Sequence, residues 1–110
     1  MCSQNANICH DVRVISKSRL REFWTVHPQA EARLSAWYQV VEGATWRTFA
    51  DVRATFPSAD QVGRLVVFNV GGGNFRISTR VRYEKGLVYI RRVMTHQEYD
   101  TNDWKKDEWF

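Results

Sequence analysis

Between positions 64 and 94 three apolar runs follow one another with only glycine-bearing turns between them. They read "RLVVFNV" (64–70), "NFRISTRVRY" (74–83) and "LVYIRRVM" (87–94), joined by "GGG" and "EKG". Connections this short cannot hold a crossover, so the runs must pair as neighbouring antiparallel strands. The first run is apolar at both parities, the pattern of a central strand covered on both faces. The second alternates. Phe75, Ile77, Thr79, Val81 and Tyr83 share one face, and Asn74, Arg76, Ser78, Arg80 and Arg82 share the other. One sheet face is therefore expected to pack on a core and the other to show arginines to solvent.

The layer that covers the apolar face lies upstream. "VRVIS" (12–16) is short and β-branched, a first strand. Leu20, Phe23, Trp24 and His27 then keep the spacing of one helical face, with Ser16 or Ser18 available as a cap. Pro28 suits the first turn of a second helix, in which Ala30, Leu34, Trp37, Tyr38 and Val41 repeat the stripe before Gly43 stops it. "TFADVRATFPSAD" (48–60) reads as a short helix ended by Pro57 and a turn. The fold class is α+β: an N-terminal strand and a helical hairpin packed on a small, mainly antiparallel sheet. The 110 residues suffice for one core and not for two. Trp24, Trp37 and Trp46 are expected in it.

Charge and cysteines narrow the function classes. A formal net charge of +4, carried more by arginine than by lysine, suits an anionic partner, because guanidinium meets phosphate through two parallel hydrogen bonds. No apolar stretch reaches the roughly 18–20 residues that cross a bilayer, and the N-terminus lacks a signal-peptide apolar region. Cys2 and Cys9 make a poor disulfide framework and half a metal site, so a reduced, cytoplasmic protein is expected.

Chemistry concentrates just past the last strand, in "THQEYD" (95–100). A two-residue Lys85-Gly86 loop, or a four-residue one, would pair Arg80 with Arg91 and set Arg76 opposite Thr95. Arg76, Arg80 and Arg91 would then share the polar face beside His96 and Tyr99. A three-residue loop would turn Arg91 toward the helices, where an unpaired guanidinium is costly to bury. Guanidiniums beside an imidazole and a phenol suit RNA cleavage without a metal or other cofactor. The 2′-OH loses a proton as it attacks phosphorus, the 5′ oxygen gains one as it leaves, and the phosphorane between them carries extra negative charge. Imidazole titrates near cellular pH, which makes His96 the first choice for general acid or base. Tyr99 needs neighbouring guanidiniums before it can act as a base; otherwise it stacks on a nucleobase or orients the 2′-OH. Glu98 and Asp100 would orient the histidine or hold the loop. The same residues also read as a solvated sheet face and ordinary loop packing. "VGGGN" lacks the lysine of a phosphate-binding loop and precedes a strand, so it reads as a hairpin turn. His10, His27 and His96 are too far apart for metal-ligand spacing, and His27 reads as a helix residue or cap.

At "VISKSRLREFW", "FPSAD", "VFNVGGGNFRI" and "YIRRVMTHQEYD" the sequence resembles the HigB-type toxins of the RelE/ParE superfamily, over about Val12 to Asp103. The resemblance implies a RelE-like fold and the toxin of a type II toxin–antitoxin pair. Such a toxin is a ribosome-associated mRNA endoribonuclease inhibited by a HigA-like helix-turn-helix antitoxin. The family pattern places its arginines at Arg76 and Arg91 and its "THxEYD" at Thr95, His96, Glu98, Tyr99 and Asp100. Arg76, Arg91, His96 and Tyr99 are thus the expected catalytic residues, with Arg80, Arg92 and Asn74 binding RNA around them. The rival reading is a catalytically inactive or gyrase-directed protein-binding module on the same fold. Relatives of this type usually begin with methionine where this chain has Val12. Residues 1–11 are accordingly expected to be an extension that the native protein could lack, 12–103 the toxin domain, and 104–110 a tail that frays or packs loosely.

Overall fold

The computed structural model describes residues 12–110. The expected extension, with Cys2, Cys9 and His10, lies outside them. Strand β1 (Arg13–Ile15) leads into α1 (Ser18–Val26), and a 3-10 turn (Pro28–Ala30) carries the chain into α2 (Glu31–Val41). After α3 (Phe49–Thr55) come β2 (Asp60–Val62), β3 (Leu65–Val70), β4 (Phe75–Arg82) and β5 (Leu87–Thr95). Helix α4 (His96–Asp100) and a 3-10 turn (Asp103–Lys106) close the chain. The sheet order is β1-β5-β4-β3-β2, antiparallel throughout except where β1 lies parallel to β5.

This is the α+β arrangement expected, with one strand more. The three residues of β2 are too few to carry a period and read as turn. Neither Ser16 nor Ser18 caps α1. Ser16 takes the left-handed turn out of β1 at φ 73°, and Lys17 holds the N-cap position without a side-chain bond.

The main core forms as the two stripes require. Leu20, Ala30, Leu34, Trp37 and Val41 are buried against Val66, Phe68, Ile77, Val88 and Ile90. Phe68 is its aromatic centre: Trp37 meets it edge-on at 5.3 Å and Trp46 lies parallel to it at 6.1 Å. Trp24 packs against this core only partly buried.

The last hairpin departs from the expected register. Arg82 pairs with Leu87, so Tyr83–Gly86 form a four-residue loop and Arg80 faces Tyr89 instead of Arg91. Further along, Ser78 pairs with Arg92 while Thr79 pairs with Ile90, leaving Arg91 as the extra residue of a bulge. Arg76 consequently faces Met94, and Thr95 faces Phe75. The cause lies in β5. Val88, Ile90 and Val93 all pack on the main core, whereas Met94 packs on the opposite face. Positions 88, 90 and 93 cannot share a face at period 2 unless one residue is bulged out.

Nor is the opposite face an open field of arginines. Leu65, Val67 and Met94 are buried there under Trp104, with Val62, Tyr99, Trp109 and Phe110 packed around them. The expectation of a loose tail is therefore corrected: Trp104 is 2% exposed, and Arg64 donates its N–H to the Phe110 carbonyl at 2.7 Å. This second cluster is also why β3 is apolar on both faces.

Candidate active site

"THQEYD" is not a loop but a capped helix. Thr95 is the N-cap of α4: its hydroxyl accepts from Glu98 N–H at 3.1 Å, and the Glu98 carboxylate accepts from Thr95 N–H at 2.8 Å. This reciprocal pair satisfies two donors that a helix start leaves unpaired. The His96 N–H donates to the Asn74 carbonyl at 3.0 Å, tying the helix to the start of β4. Glu98 therefore holds the helix end. Asp100 lies one turn from His96, its Oδ2 3.4 Å from Nε2.

Arg76 and Tyr99 meet. The guanidinium carbon stands 5.0 Å from the centre of the phenol ring. Nη1 of Arg76 donates back to the carbonyls of Gly73 and Phe75, which pins one side of the fork. Its other nitrogens have no hydrogen-bond partner among the described residues. The Gly71–Gly73 turn that presents Gly73 runs through φ values of 67°, 67° and 94°, a left-handed path open to glycine. At Gly71 a Cβ would also come within 3.2 Å of the Phe75 ring. The three glycines make the β3–β4 hairpin turn, one of whose carbonyls orients Arg76.

Two hollows flank this rim. A cleft of about 320 Å³ is lined by Arg53, Ser58, Asp60, Asn69, Arg76 and Tyr99, among others. A wider basin of about 670 Å³ borders His27, Gln29, Arg33, Asn74, His96 and Gln97. His96 is thus on the basin side and Tyr99 on the cleft side of one short helix. His27 is a helix-end residue, stacked on Phe23 at 4.5 Å, and still borders the basin. Sequence reasoning missed Arg53 and Asn69. Asn69 had a signal, since it interrupts the apolar run of β3 opposite Arg76. Arg53 had none beyond its charge; its guanidinium donates to the Pro57 carbonyl at 2.9 Å.

The remaining arginines do not converge as expected. Arg91 forms a two-point pair with Asp107, at 2.9 and 3.0 Å, and its guanidinium lies 3.8 Å from the centre of the Trp109 ring. The hydrogen bonds from Arg91 hold the Asp107 carboxyl below the usual carboxylate range, and the Trp109 N–H adds to this against the opposing effect of burial. Arg80 borders a separate hollow of about 390 Å³ with Arg64, Arg82, Tyr89 and Trp109. Arg92 is exposed on a groove toward α1, beside Arg19 and His27. The expected juxtaposition of Arg76, Arg80 and Arg91 is corrected by the bulge, because the four-residue loop alone would have set Arg91 opposite Ser78, on the face of Arg76 and Arg80. What remains is two pairs joined by one short helix, Arg76 with Tyr99 on the cleft side and His96 with Asp100 on the other, where His96 and Asn74 border the basin: a cation able to stabilise an anionic transition state and two groups able to move or orient a proton. Among the described residues no group of three or more His, Cys, Asp or Glu side chains is clustered so as to hold a metal ion.

Comparison with known proteins bears on the same stretch. A family model described as HigB toxin, RelE-like toxic component of a toxin–antitoxin system, matches residues 30–102. The chain is 34% identical over 92 residues to the mRNA interferase toxin HigB of Escherichia coli K12, an alignment covering 81% of this chain and 88% of the relative. The mRNA interferase HigB of Shigella flexneri matches with the same identity and coverage. The mRNA interferase HigB of Escherichia coli O6:H1 is 25% identical over 92 residues, 81% of this chain and 89% of that protein.

Proposed function

The chain belongs to the HigB family of RelE-like toxins, and on that premise we propose that it is an mRNA interferase whose active site is the Arg76–Tyr99 cleft and its His96 rim. The observation that carries this reading is the contact of the Arg76 guanidinium with the Tyr99 ring, on a helix that also bears His96. Arg76 binds the scissile phosphate and stabilises the phosphorane through the nitrogens not engaged with Gly73. His96, oriented by Asp100, gives or takes the proton. Tyr99 orients the 2′-OH or stacks on the neighbouring base. Cleavage proceeds by attack of the 2′-OH on the adjacent phosphorus, on mRNA held by the ribosome, and needs no metal in this scheme. Asn74, Arg80 and Arg92 contact RNA outside the reacting nucleotide. Arg91 joins the phosphate only by exchanging Asp107 for it, since the same two-point fork recognises either anion.

A toxin of this family implies an antitoxin partner, here proposed to be a HigA-like helix-turn-helix protein whose acidic or helical segment covers the basic rim. The test is cleavage of ribosome-bound mRNA by purified variants, with folding checked by circular dichroism. Arg76→Ala is expected to slow cleavage by about 10²–10³. His96→Ala should fall by a comparable factor, and Tyr99→Phe by less. Wild-type cleavage by Arg76→Ala and His96→Ala would overturn the assignment and favour a protein-binding module.

A further inference from the structure

The Arg76–Tyr99 contact has a third member that lies beyond the matched family segment, which ends at residue 102. Trp104 lies nearly parallel to Tyr99, 5.1 Å between ring centres and 15° between planes. Its Nε1–H donates to the Tyr99 carbonyl at 3.0 Å. We propose that Trp104 is the positioning residue for Tyr99, fixing the phenol against Arg76 in the geometry that cleavage requires. This rests on the reading of Tyr99 as a group at the scissile nucleotide.

Helix α4 needs such an anchor. Its five residues are too few to hold a helix unaided, and its N-terminal cap orients only the first turn, not the ring at its fourth position. The chain folds back at Asn102, whose φ of 65° is one that asparagine tolerates better than most residues. That reversal brings Trp104 over Tyr99. The indole is itself immobile: it is 2% exposed, seated on Leu65, Val67 and Met94 of β3 and β5, with Phe110 edge-on at 5.9 Å. One aromatic plane thus transmits the position of the sheet, which carries Arg76, to the helix, which carries Tyr99. Placement errors of about 1 Å at a reacting group can cost about 10²-fold in rate, so an anchor of this kind belongs to the reaction as well as to the core.

The experiment is a double-mutant cycle on the full chain, reading single-turnover cleavage of ribosome-bound mRNA and its half-saturation separately. Trp104→Phe keeps a flat apolar ring and loses the donor; Trp104→Leu also loses the stack. We expect Trp104→Leu to lower the rate at saturation by about 10- to 100-fold. Half-saturation should stay within about twofold, with Trp104→Phe between parent and Trp104→Leu. In a Tyr99→Ala background the same changes should alter the rate by no more than about twofold, because their route to the chemistry is gone. Equal losses in both backgrounds would overturn the proposal, as would a Trp104→Phe chain that no longer folds, since the side chain would then be a core group alone. If Tyr99→Ala is slow while Trp104→Phe and Trp104→Leu cleave at the parental rate, the positioning role fails and the active site stands. A Tyr99→Ala chain at the parental rate would overturn the assignment of Tyr99 and this inference with it.

Discussion

Single residues carry both the chemistry proposed for the site and some of the defects of the core. Arg76 has its fork held by the Gly73 carbonyl, so the role proposed for it depends on planarity as well as charge. Arg76→Lys keeps the cation and loses the second donor direction. Cleavage is expected to remain at least about tenfold below the parent in a single-turnover assay. Tyr83 is the opposite case. Its hydroxyl is buried without a partner among the described residues, and burial pushes its pKa up, with Asp51 adding to the rise. Removing an unsatisfied buried group releases its desolvation cost, so Tyr83→Phe is expected to be neutral or stabilising by up to about 1 kcal/mol. A melting temperature at or above the parent's would agree; a marked drop would reveal an unrecognised partner. Arg76, His96 and Tyr99 were all legible as candidates, because the residue types and their position at a strand end advertise chemistry. Arg91 shows the limit of that reading, since nothing in "YIRR" announces that Asp107, sixteen residues later, takes its guanidinium.

At the scale of elements, α4 and the C-terminal segment hold the residues of the proposed site in place. The Thr95–Glu98 capping box is the first support of α4, and Thr95→Ala should cost about 1 kcal/mol. Because the helix bears His96 and Tyr99, the same change should also slow cleavage, which Tm and turnover measured on one preparation would show. The second support is the Arg91–Asp107 pair, with side-chain exposures of 21% and 15%. Asp107 has a folded-state pKa lowered chiefly by Arg91. Its contribution is therefore full above the unfolded carboxylate value of about 4 and is lost as pH falls through the lower folded value. Asp107→Asn should cost about 2 kcal/mol near pH 7, and the gap to the parent should narrow below about pH 4. Urea midpoints at pH 7 and pH 3 test this; a gap that stays constant would mean the carboxylate charge is not what holds the segment. The same variant bears on Arg91, for if that guanidinium serves the phosphate, freeing it should not weaken RNA binding.

For the whole molecule, the basic surface is spread over several hollows and is not focused at one point. Arg76 faces the cleft beside Arg53, whereas Arg80 sits with Arg64 and Arg82 four residues further along β4. Each phosphate neutralised on single-stranded RNA should add about 0.7 to the slope of log affinity against log salt. With an RNA made uncleavable at its 2′ position, Arg76→Gln and Arg80→Gln should each reduce the slope by about that amount. An unchanged slope for Arg80→Gln would show that RNA does not reach that end of the sheet. Local pattern was not enough for β2 or α4, but it was enough for most of the elements, namely the helical stripes at 20–27 and 30–41 and three strands over 64–94, and for the candidate groups in "THQEYD". Those follow from local periodicity and side-chain chemistry, which need no knowledge of distant partners. Tertiary structure decided the rest. The bulge at Arg91 arises because Val88, Ile90 and Val93 must share one core, and β3 is buried on both faces because Trp104 returns over it. Both are contacts between segments far apart in the chain, and burial on two faces at once is an energy that no single strand's pattern contains.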